Sequence, residues 1–253
     1  MRRYPLSRAM LLIGILSFGA GCIEMSHDVR ISPDGTVDYR LTYSITETAI
    51  SQFKALDRLM TDLAEVEGRR GSGFDLDPVL RAFIDPRDDK LAAVLEPFKE
   101  SGLIVSDLRV RSRDARRTVE CRLLIRDLRL LADTEFFRKY GFDLRKEAEG
   151  RYSFLRRPII DEALWSSPDI DAESRRQLEL LLSGFRCEVQ VTVPGRIIGS
   201  TAHRTRLHTA TWEYTFATMP DVLLRLQKQA FRVVFESSGA SLPDITYEGG
   251  LTR

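Results

Sequence analysis

Residues 23–45, which read IEMSHDVRI-SPDGT-VDYRLTYSI, set the pattern from which the fold can be predicted. Apolar and polar residues alternate on both sides of a short turn, as expected for two strands that each cover one face. Asp34 and Gly35, placed between two such runs, are a strong hairpin signal. The segment therefore predicts an antiparallel β-hairpin.

The same alternation recurs further along the chain and indicates the fold class. Residues 103–112 and 118–126 predict a second hairpin, whereas apolar residues spaced by three and four predict helices within about 47–100. More strands are predicted at 185–193, 212–216 and 231–235. Alternating strands favour an antiparallel sheet with one covered face. We predict an α+β fold, with a curved, mainly antiparallel sheet of hairpins packed against several helices.

The N-terminus is typical of an export signal. Residues 1–8 carry three arginines and no acid, and residues 9–21 form an uncharged, mostly apolar run. That run is shorter than the roughly 20 apolar residues that a membrane-spanning helix needs. The small residues before Cys22 resemble the lipobox of bacterial lipoproteins, in which the cysteine receives a diacylglycerol group and becomes the first residue. The alternative is an ordinary secretory signal followed by a chance cysteine.

Three segments follow from this interpretation. Residues 1–21 are the lipoprotein signal peptide, and residues 22–236 form a single domain with a helical insertion at about 47–100. Residues 237–253 are rich in Gly and Ser and are predicted to be a flexible C-terminal tail. A hydrophobic fraction of 43% indicates a globular domain, and a net charge of +1 does not suggest nucleic acid as a partner.

The remaining cysteines and the histidines bear on the chemistry that the domain can carry. Cys121 and Cys187 can form a disulfide in an oxidising compartment, and the alternative is two buried free thiols. The three histidines are dispersed and show no metal-ligand spacing. No catalytic motif is present, so we expect a protein that is not an enzyme and that needs no cofactor or metal.

A set of aromatic residues lies on the predicted strands. On an open sheet they could line an apolar cavity for acyl chains, and as ordinary core residues they need no ligand. The candidate lining residues are Tyr39, Tyr43, Trp212, Tyr214 and Phe216.

Three short motifs resemble LppM-type bacterial lipoprotein domains. They are the turn at 31–35 that follows Cys22, the stretch VTVPGRII at 191–198, and ATWE at 210–213. Residues from about 68 to 184 lie outside this resemblance. The resemblance implies an α+β envelope domain without catalytic machinery that binds lipid or glycolipid.

Together these features predict a membrane-anchored, non-enzymatic module of the cell envelope that binds lipid or glycolipid. Its partners are then the membrane, through palmitate and the other acyl chains on Cys22, and a lipid or an envelope protein. In a cell with two membranes, Ile23 after the cysteine favours the periplasmic face of the outer membrane. The alternatives are a protein-interaction or assembly factor of the envelope, and an envelope hydrolase.

Overall fold

The computed structural model of the chain describes residues 23–66, 78–132, 134, 142–156, 184–219, 225–226 and 228–245. Within these residues the chain forms eleven strands and four helices. The strands are β1 (Ile23–Ile31), β2 (Val37–Thr46), β3 (Leu103–Arg113), β4 (Arg116–Ile125), β5 (Asp143–Ala148), β6 (Arg151–Arg156), β7 (Arg186–Thr192), β8 (Arg196–Ser200), β9 (Arg204–Arg206), β10 (Thr209–Thr215) and β11 (Phe231–Glu236). The helices are α1 (Glu47–Val66), α2 (Pro78–Ile84), α3 (Asp88–Lys99) and α4 (Leu128–Ala132).

The architecture is mostly β and is built from two sheets, so the predicted α+β fold is wrong. The sequence predicted one curved sheet whose apolar face is covered by helices. In the structure, a second sheet packs on the apolar face of the first. Alternation identifies the covered face of a strand but not the element that covers it, which explains the error.

The first sheet has seven strands in the order β3-β4-β2-β1-β7-β10-β9. Its β1 and β7 pair in parallel, and every other neighbouring pair is antiparallel. The predicted N-terminal hairpin is confirmed, with Ile23 paired to Ile45. At its turn Gly35 has φ of +85°, and Asp34 accepts a hydrogen bond of 3.0 Å from the Thr36 amide. Glycine tolerates this left-handed conformation without a steric penalty.

The second sheet has four strands in the order β5-β6-β11-β8. Its buried face carries Tyr152, Phe154, Phe231 and Phe235, which pack towards the first sheet. The Phe231 ring lies 5.0 Å from the ring of Trp212 on β10, measured between centroids. Large aromatic side chains from both sheets therefore form the centre of the core.

A charged network joins the helices to one end of the first sheet. Asp85, which follows α2 and is 5% exposed, accepts a hydrogen bond of 2.5 Å from Arg117 on β4. Arg117 also donates to Glu47 at the start of α1, at 2.7 Å. Burial alone would raise the pKa of Asp85, but hydrogen bonds from Lys54 and Lys90 outweigh it and hold that pKa well below its usual range. The network ties α1 and α3 to β4 through one ionised carboxylate.

Residues 237–245 pack against the domain, although the sequence predicted a flexible tail from residue 237. The Ser241 amide donates to the carbonyl oxygen of Pro33 at 2.9 Å. Ile245 exchanges backbone hydrogen bonds with Leu144 on β5 and is 7% exposed. This part of the tail therefore packs beside the β1–β2 turn and forms a single antiparallel bridge with β5, whereas residues 246–253 lie outside the described residues.

Candidate functional site

Four residues at paired positions on adjacent strands form a row across the covered face of the first sheet. Trp212 on β10 is paired with Val189 on β7, and Val189 is paired with His27 on β1. His27 is in turn paired with Leu41 on β2. His27 therefore takes a position that strand alternation assigns to an apolar residue, which places an imidazole between the two sheets.

His27 and Tyr39 form a partly buried polar pair on the covered face of the first sheet. The Nδ1 atom of His27 lies 2.7 Å from the hydroxyl oxygen of Tyr39, which is a hydrogen-bonding distance. Burial, with a smaller contribution from the positive charge of Arg156, lowers the pKa of His27 to about 4. Burial also raises the pKa of Tyr39. Both side chains are therefore neutral at pH 7.

Arg156, the last residue of β6, brings a positive charge to the same region. It is paired with Phe231 on β11, and its guanidinium carbon lies 4.9 Å from the centre of the Phe231 ring. Burial lowers the pKa of Arg156. Electrostatic interactions with Cys187, Tyr214 and Tyr39 raise this pKa, but by less than burial lowers it. Among the described residues no carboxylate forms an ion pair with Arg156.

No carboxylate among the described residues pairs with Arg156, so the buried part of its guanidinium is costly. Desolvating a charge costs several kcal/mol unless a partner compensates for it. A cation–π contact returns about 0.5–2 kcal/mol, so the Phe231 ring offsets only part of this cost. An acceptor group or an anion beside the guanidinium would stabilise this arrangement.

Two further donors lie beside the Phe231 ring. The rings of Trp212 and Tyr214 are 5.0 and 6.1 Å from it, and both residues are at most 1% exposed. The Trp212 Nε1 atom and the Tyr214 hydroxyl are buried and have no hydrogen-bond partner within the described part of the chain. Leaving a buried polar group unpaired costs about 1–3 kcal/mol, and such groups are rare in folded proteins.

These groups define the candidate site, which we call the Arg156 cluster. It comprises Arg156, Phe231, Trp212, Tyr214 and the His27–Tyr39 pair. An indole N–H donates only, a guanidinium donates only, and a phenol can donate. The Trp212 and Tyr214 donors are closed off from solvent, whereas Arg156 is only partly buried, so Arg156 is the member that an acceptor group from outside can reach.

The five aromatic residues predicted as ligand-lining divide into two sets. Tyr39, Trp212 and Tyr214 lie in the Arg156 cluster. Tyr43 instead packs edge-on against Phe83 of α2, with ring centroids 6.1 Å apart. Phe216 follows β10 and is partly buried, and its amide donates to the carbonyl oxygen of Phe185.

The sequence analysis did not single out His27 or Arg156. Both could have been found, because each stands where alternation demands an apolar residue. His27 lies between Met25 and Val29, and Arg156 follows the inward-facing Phe154 by two positions. A basic residue on the apolar face of a predicted strand is the signal that both share.

The disulfide considered for Cys121 and Cys187 is not formed. Cys121 lies on β4 and Cys187 on β7, and both β2 and β1 stand between these strands. Three strand spacings amount to about 14 Å, well beyond the roughly 4.4–6.8 Å that separates the Cα atoms of a disulfide. Burial raises the pKa of the Cys121 thiol to about 11 and that of the Cys187 thiol to about 12, so both are unreactive at pH 7.

The other predicted site residue, Cys22, lies outside the described residues, which begin with β1 at Ile23. No helix in the described part of the chain is both long and apolar enough to cross a bilayer.

The fold and the Arg156 cluster define a mainly antiparallel β-sandwich in which a partly buried cation packs on the aromatic core. No protein-family model matches the chain. No curated protein matches it in sequence. The NMR structure of the folded domain of the Mycobacterium tuberculosis LppM protein is similar at a TM-score of 0.38 and 13% sequence identity, covering 87% of this chain and 92% of that chain. This similarity identifies neither a family nor a ligand for the chain.

Proposed function

We propose that this protein is an exported lipoprotein, held on a membrane through acyl chains on Cys22. In this proposal the folded domain binds an amphipathic ligand of the cell envelope and catalyses no reaction. The observation that carries the proposal is the Arg156 cluster, a partly buried guanidinium and two unpartnered buried donors set among aromatic rings. Such a combination suits a ligand that has both an apolar and a polar part.

The position of β1 relative to Cys22 supports the anchoring part of the proposal. β1 begins at Ile23, the residue directly after Cys22, so no linker separates the proposed lipid from the first sheet. Two or three acyl chains are needed for stable anchoring, and a lipoprotein cysteine supplies them. The domain would then sit directly on the bilayer surface, close to a supply of amphipathic ligands.

The anchoring part predicts that a Cys22→Ala variant loses its lipid. In cells grown with labelled palmitate, the wild-type protein is expected to carry label and to sediment with membranes. The variant lacks the thiol that forms the thioether bond to diacylglycerol, so it is expected to carry no label and to leave the membrane fraction. Labelling and fractionation of the two proteins are the measurements.

A Cys121→Ala variant is the matched control, because Cys121 is also a cysteine but is buried in the core. It is expected to be labelled like the wild type. An unlabelled wild-type protein, or a Cys22→Ala variant that remains in the membrane fraction, would contradict the anchoring part.

The binding part predicts that the protein retains an amphiphile when it is purified gently. Native mass spectrometry of the mature protein, extracted in a mild non-ionic detergent, is expected to show an added mass beyond that of the acyl chains on Cys22. Tandem dissociation would release this mass as an intact small molecule. Recovery of the bare acylated protein in every preparation would count against ligand binding.

A further inference from the structure

The neighbouring strands β8 and β9 carry a cluster of positive charge on the surface of the domain. Residues 189–212, which include both strands, contain three arginines and no acidic residue. Arg204 forms an ion pair with Glu213 on β10. Arg196 and Arg206 are exposed, and neither forms an ion pair with any described residue. This part of the surface therefore presents two positive charges without a counter-charge among the described residues.

Two exposed apolar side chains lie beside these charges. Ile198 on β8 is 40% exposed, and Leu207 in the turn after β9 is 61% exposed. The Ile197 amide donates to the carbonyl oxygen of Leu207 at 2.9 Å, so the two segments are direct neighbours. Ile197 packs against the core, whereas Ile198, the next residue, points outward. We call Arg196, Ile198, Arg206 and Leu207 the β8–β9 patch.

The composition of the β8–β9 patch suits a membrane surface better than a protein partner. Binding at a membrane interface depends on the apolar area that is inserted and on the attraction between basic residues and anionic headgroups. Each arginine near an anionic surface favours binding by about fivefold. A stable protein interface instead buries about 800 Å² on each partner around an apolar centre. Two exposed apolar side chains do not supply such a centre.

The β8–β9 patch lies at the end of the first sheet that is opposite to the start of β1. Arg186 on β7 pairs with Glu24 near the start of β1, and Thr192, six positions further along β7, pairs with Thr209 on β10. Thr209 also pairs with Arg206. At about 3.3 Å per residue, Arg206 is displaced by about 20 Å along the strands from the start of β1. Acyl chains at the start of β1 and the patch can therefore both contact one bilayer only if the strands run along its surface.

We propose that the β8–β9 patch docks on the anionic headgroups of the bilayer that holds the acyl chains, with the strands of the first sheet lying along the membrane. The inference rests on the anchoring part of the proposed function, and it adds which face of the domain meets the membrane. Arg196 and Arg206 bind lipid phosphates, while Leu207 enters the headgroup region. The acyl chains hold the patch at a high effective concentration near the surface, so a contact that is weak by itself is sufficient.

A fluorescent label that brightens in apolar surroundings reports this contact. The mature acylated protein with Leu207→Cys is labelled with a thiol-reactive nitrobenzoxadiazole dye. Cys121 and Cys187 are buried, so the introduced thiol is the one that reacts. The protein is incorporated through its acyl chains into phosphatidylcholine vesicles with or without about 30 mol% phosphatidylglycerol. We expect emission to be at least about twofold higher on the anionic vesicles, and this difference to be lost in about 0.5 M sodium chloride.

Leu130→Cys is the matched control for the position of the label. Leu130 is another exposed leucine, at 53%, and lies beside Gly102 near the start of β3. Because β3 and β9 are the opposite edges of the first sheet, a label at this position is expected to give equal emission on both kinds of vesicle. Equal brightening at the two positions would overturn the assignment to the β8–β9 patch.

Removal of charge identifies the residues responsible. In the Leu207→Cys protein, Arg196→Gln combined with Arg206→Gln is expected to reduce the rise in emission to about a quarter or less. Arg109→Gln combined with Arg111→Gln removes the same charge from β3 and is expected to keep the full rise. All four arginines are exposed, so the melting temperature is expected to stay unchanged. An equal loss in the two double variants would show that net charge alone matters and would overturn docking through the patch.

Failure of this proposal and failure of the anchoring give different results when the vesicles are floated on a density gradient. A protein that floats with both kinds of vesicle, but whose label at position 207 stays equally dim on both, would overturn docking and leave the anchor intact. The patch would then suit an acidic protein partner. Equally bright emission on both kinds of vesicle would overturn the recognition of anionic headgroups. A mature wild-type protein that floats with neither kind would overturn the anchoring itself.

Discussion

A Gly195→Ala variant is expected to lose about 3 kcal/mol of unfolding free energy, because no space exists for the added methyl group. A Cβ atom on Gly195 would lie 1.9 Å from the carbonyl oxygen of Glu236 and 2.8 Å from the Cβ atom of Ser237. The carbonyl belongs to the backbone, so it cannot swing aside as the end of a long side chain can. Urea unfolding of the mature protein in dodecyl maltoside, followed by circular dichroism, measures the loss.

The effect is expected to be large because of where Gly195 lies. It stands in the loop between β7 and β8, where the chain passes from the first sheet to the second. Its carbonyl oxygen also accepts a hydrogen bond of 2.7 Å from Nδ1 of His208. Relieving the clash therefore displaces the end of β11 from this loop and disturbs the junction of the two sheets.

Gly199→Ala provides the matched control within β8. The nearest atom to a Cβ at Gly199 is Cβ of Val234 at 4.0 Å, which is an ordinary van der Waals contact. Alanine loses less conformational freedom than glycine on folding, so this variant is expected to be unchanged or more stable by about 0.5 kcal/mol. Equal stability of Gly195→Ala and Gly199→Ala would show that the close approach to Glu236 does not constrain the fold.

The requirement at Gly195 could not be predicted from the sequence. Residues Pro194 and Gly195 mark the end of a strand, which the local pattern does indicate. The atom that excludes a side chain belongs to Glu236, far along the chain on β11. Local pattern shows where a strand ends but not which distant backbone crosses it.

The same distinction explains which parts of the fold were predictable. The hairpins β1–β2 and β3–β4 join neighbouring segments, so alternation and turn residues were sufficient to identify them. The second sheet joins β6 to β11 and β11 to β8, which are distant in sequence. β5 also offers little apolar pattern, since Leu144 is its main buried apolar residue. Tertiary packing decides which strand pairs with β5, and this packing cannot be predicted from a single sequence.

The candidate site was predictable in its aromatic part and not in its charged part. Tyr39, Trp212 and Tyr214 follow the alternation of their strands, so their shared face was expected. That Arg156 comes to the same place depends on the packing of the second sheet on the first. The sequence therefore indicated a shared aromatic face, either ordinary core or the lining of an apolar cavity, whereas the structure adds a cation and two donors without a partner among the described residues.

His27 is expected to make the protein less stable in acid, with about 3 kcal/mol of unfolding free energy lost between pH 6.5 and pH 4. Burial and the charge of Arg156 lower the pKa of His27 from 6.5 to about 4 in the folded protein. Above pH 6.5 the imidazole is neutral in both states and adds no pH dependence. Below pH 6.5 the unfolded chain binds the proton first, so each pH unit favours unfolding by about 1.4 kcal/mol until the folded protein also titrates.

A His27→Gln variant isolates this effect, because glutamine can still hydrogen-bond to Tyr39 but does not titrate. Urea unfolding at pH 7, 6, 5 and 4 is expected to give a variant whose stability changes much less than that of the wild type. Ser26→Ala, on the exposed face of β1, is the control and is expected to keep the wild-type dependence. Asp85 affects stability in a different pH range. Its pKa is lowered in the folded protein, so the stability that it contributes is present above the unfolded pKa of 3.8 and is lost as the pH falls below that value. A His27→Gln protein that loses stability between pH 6.5 and pH 4 as steeply as the wild type would therefore show that the imidazole is not held neutral between the sheets.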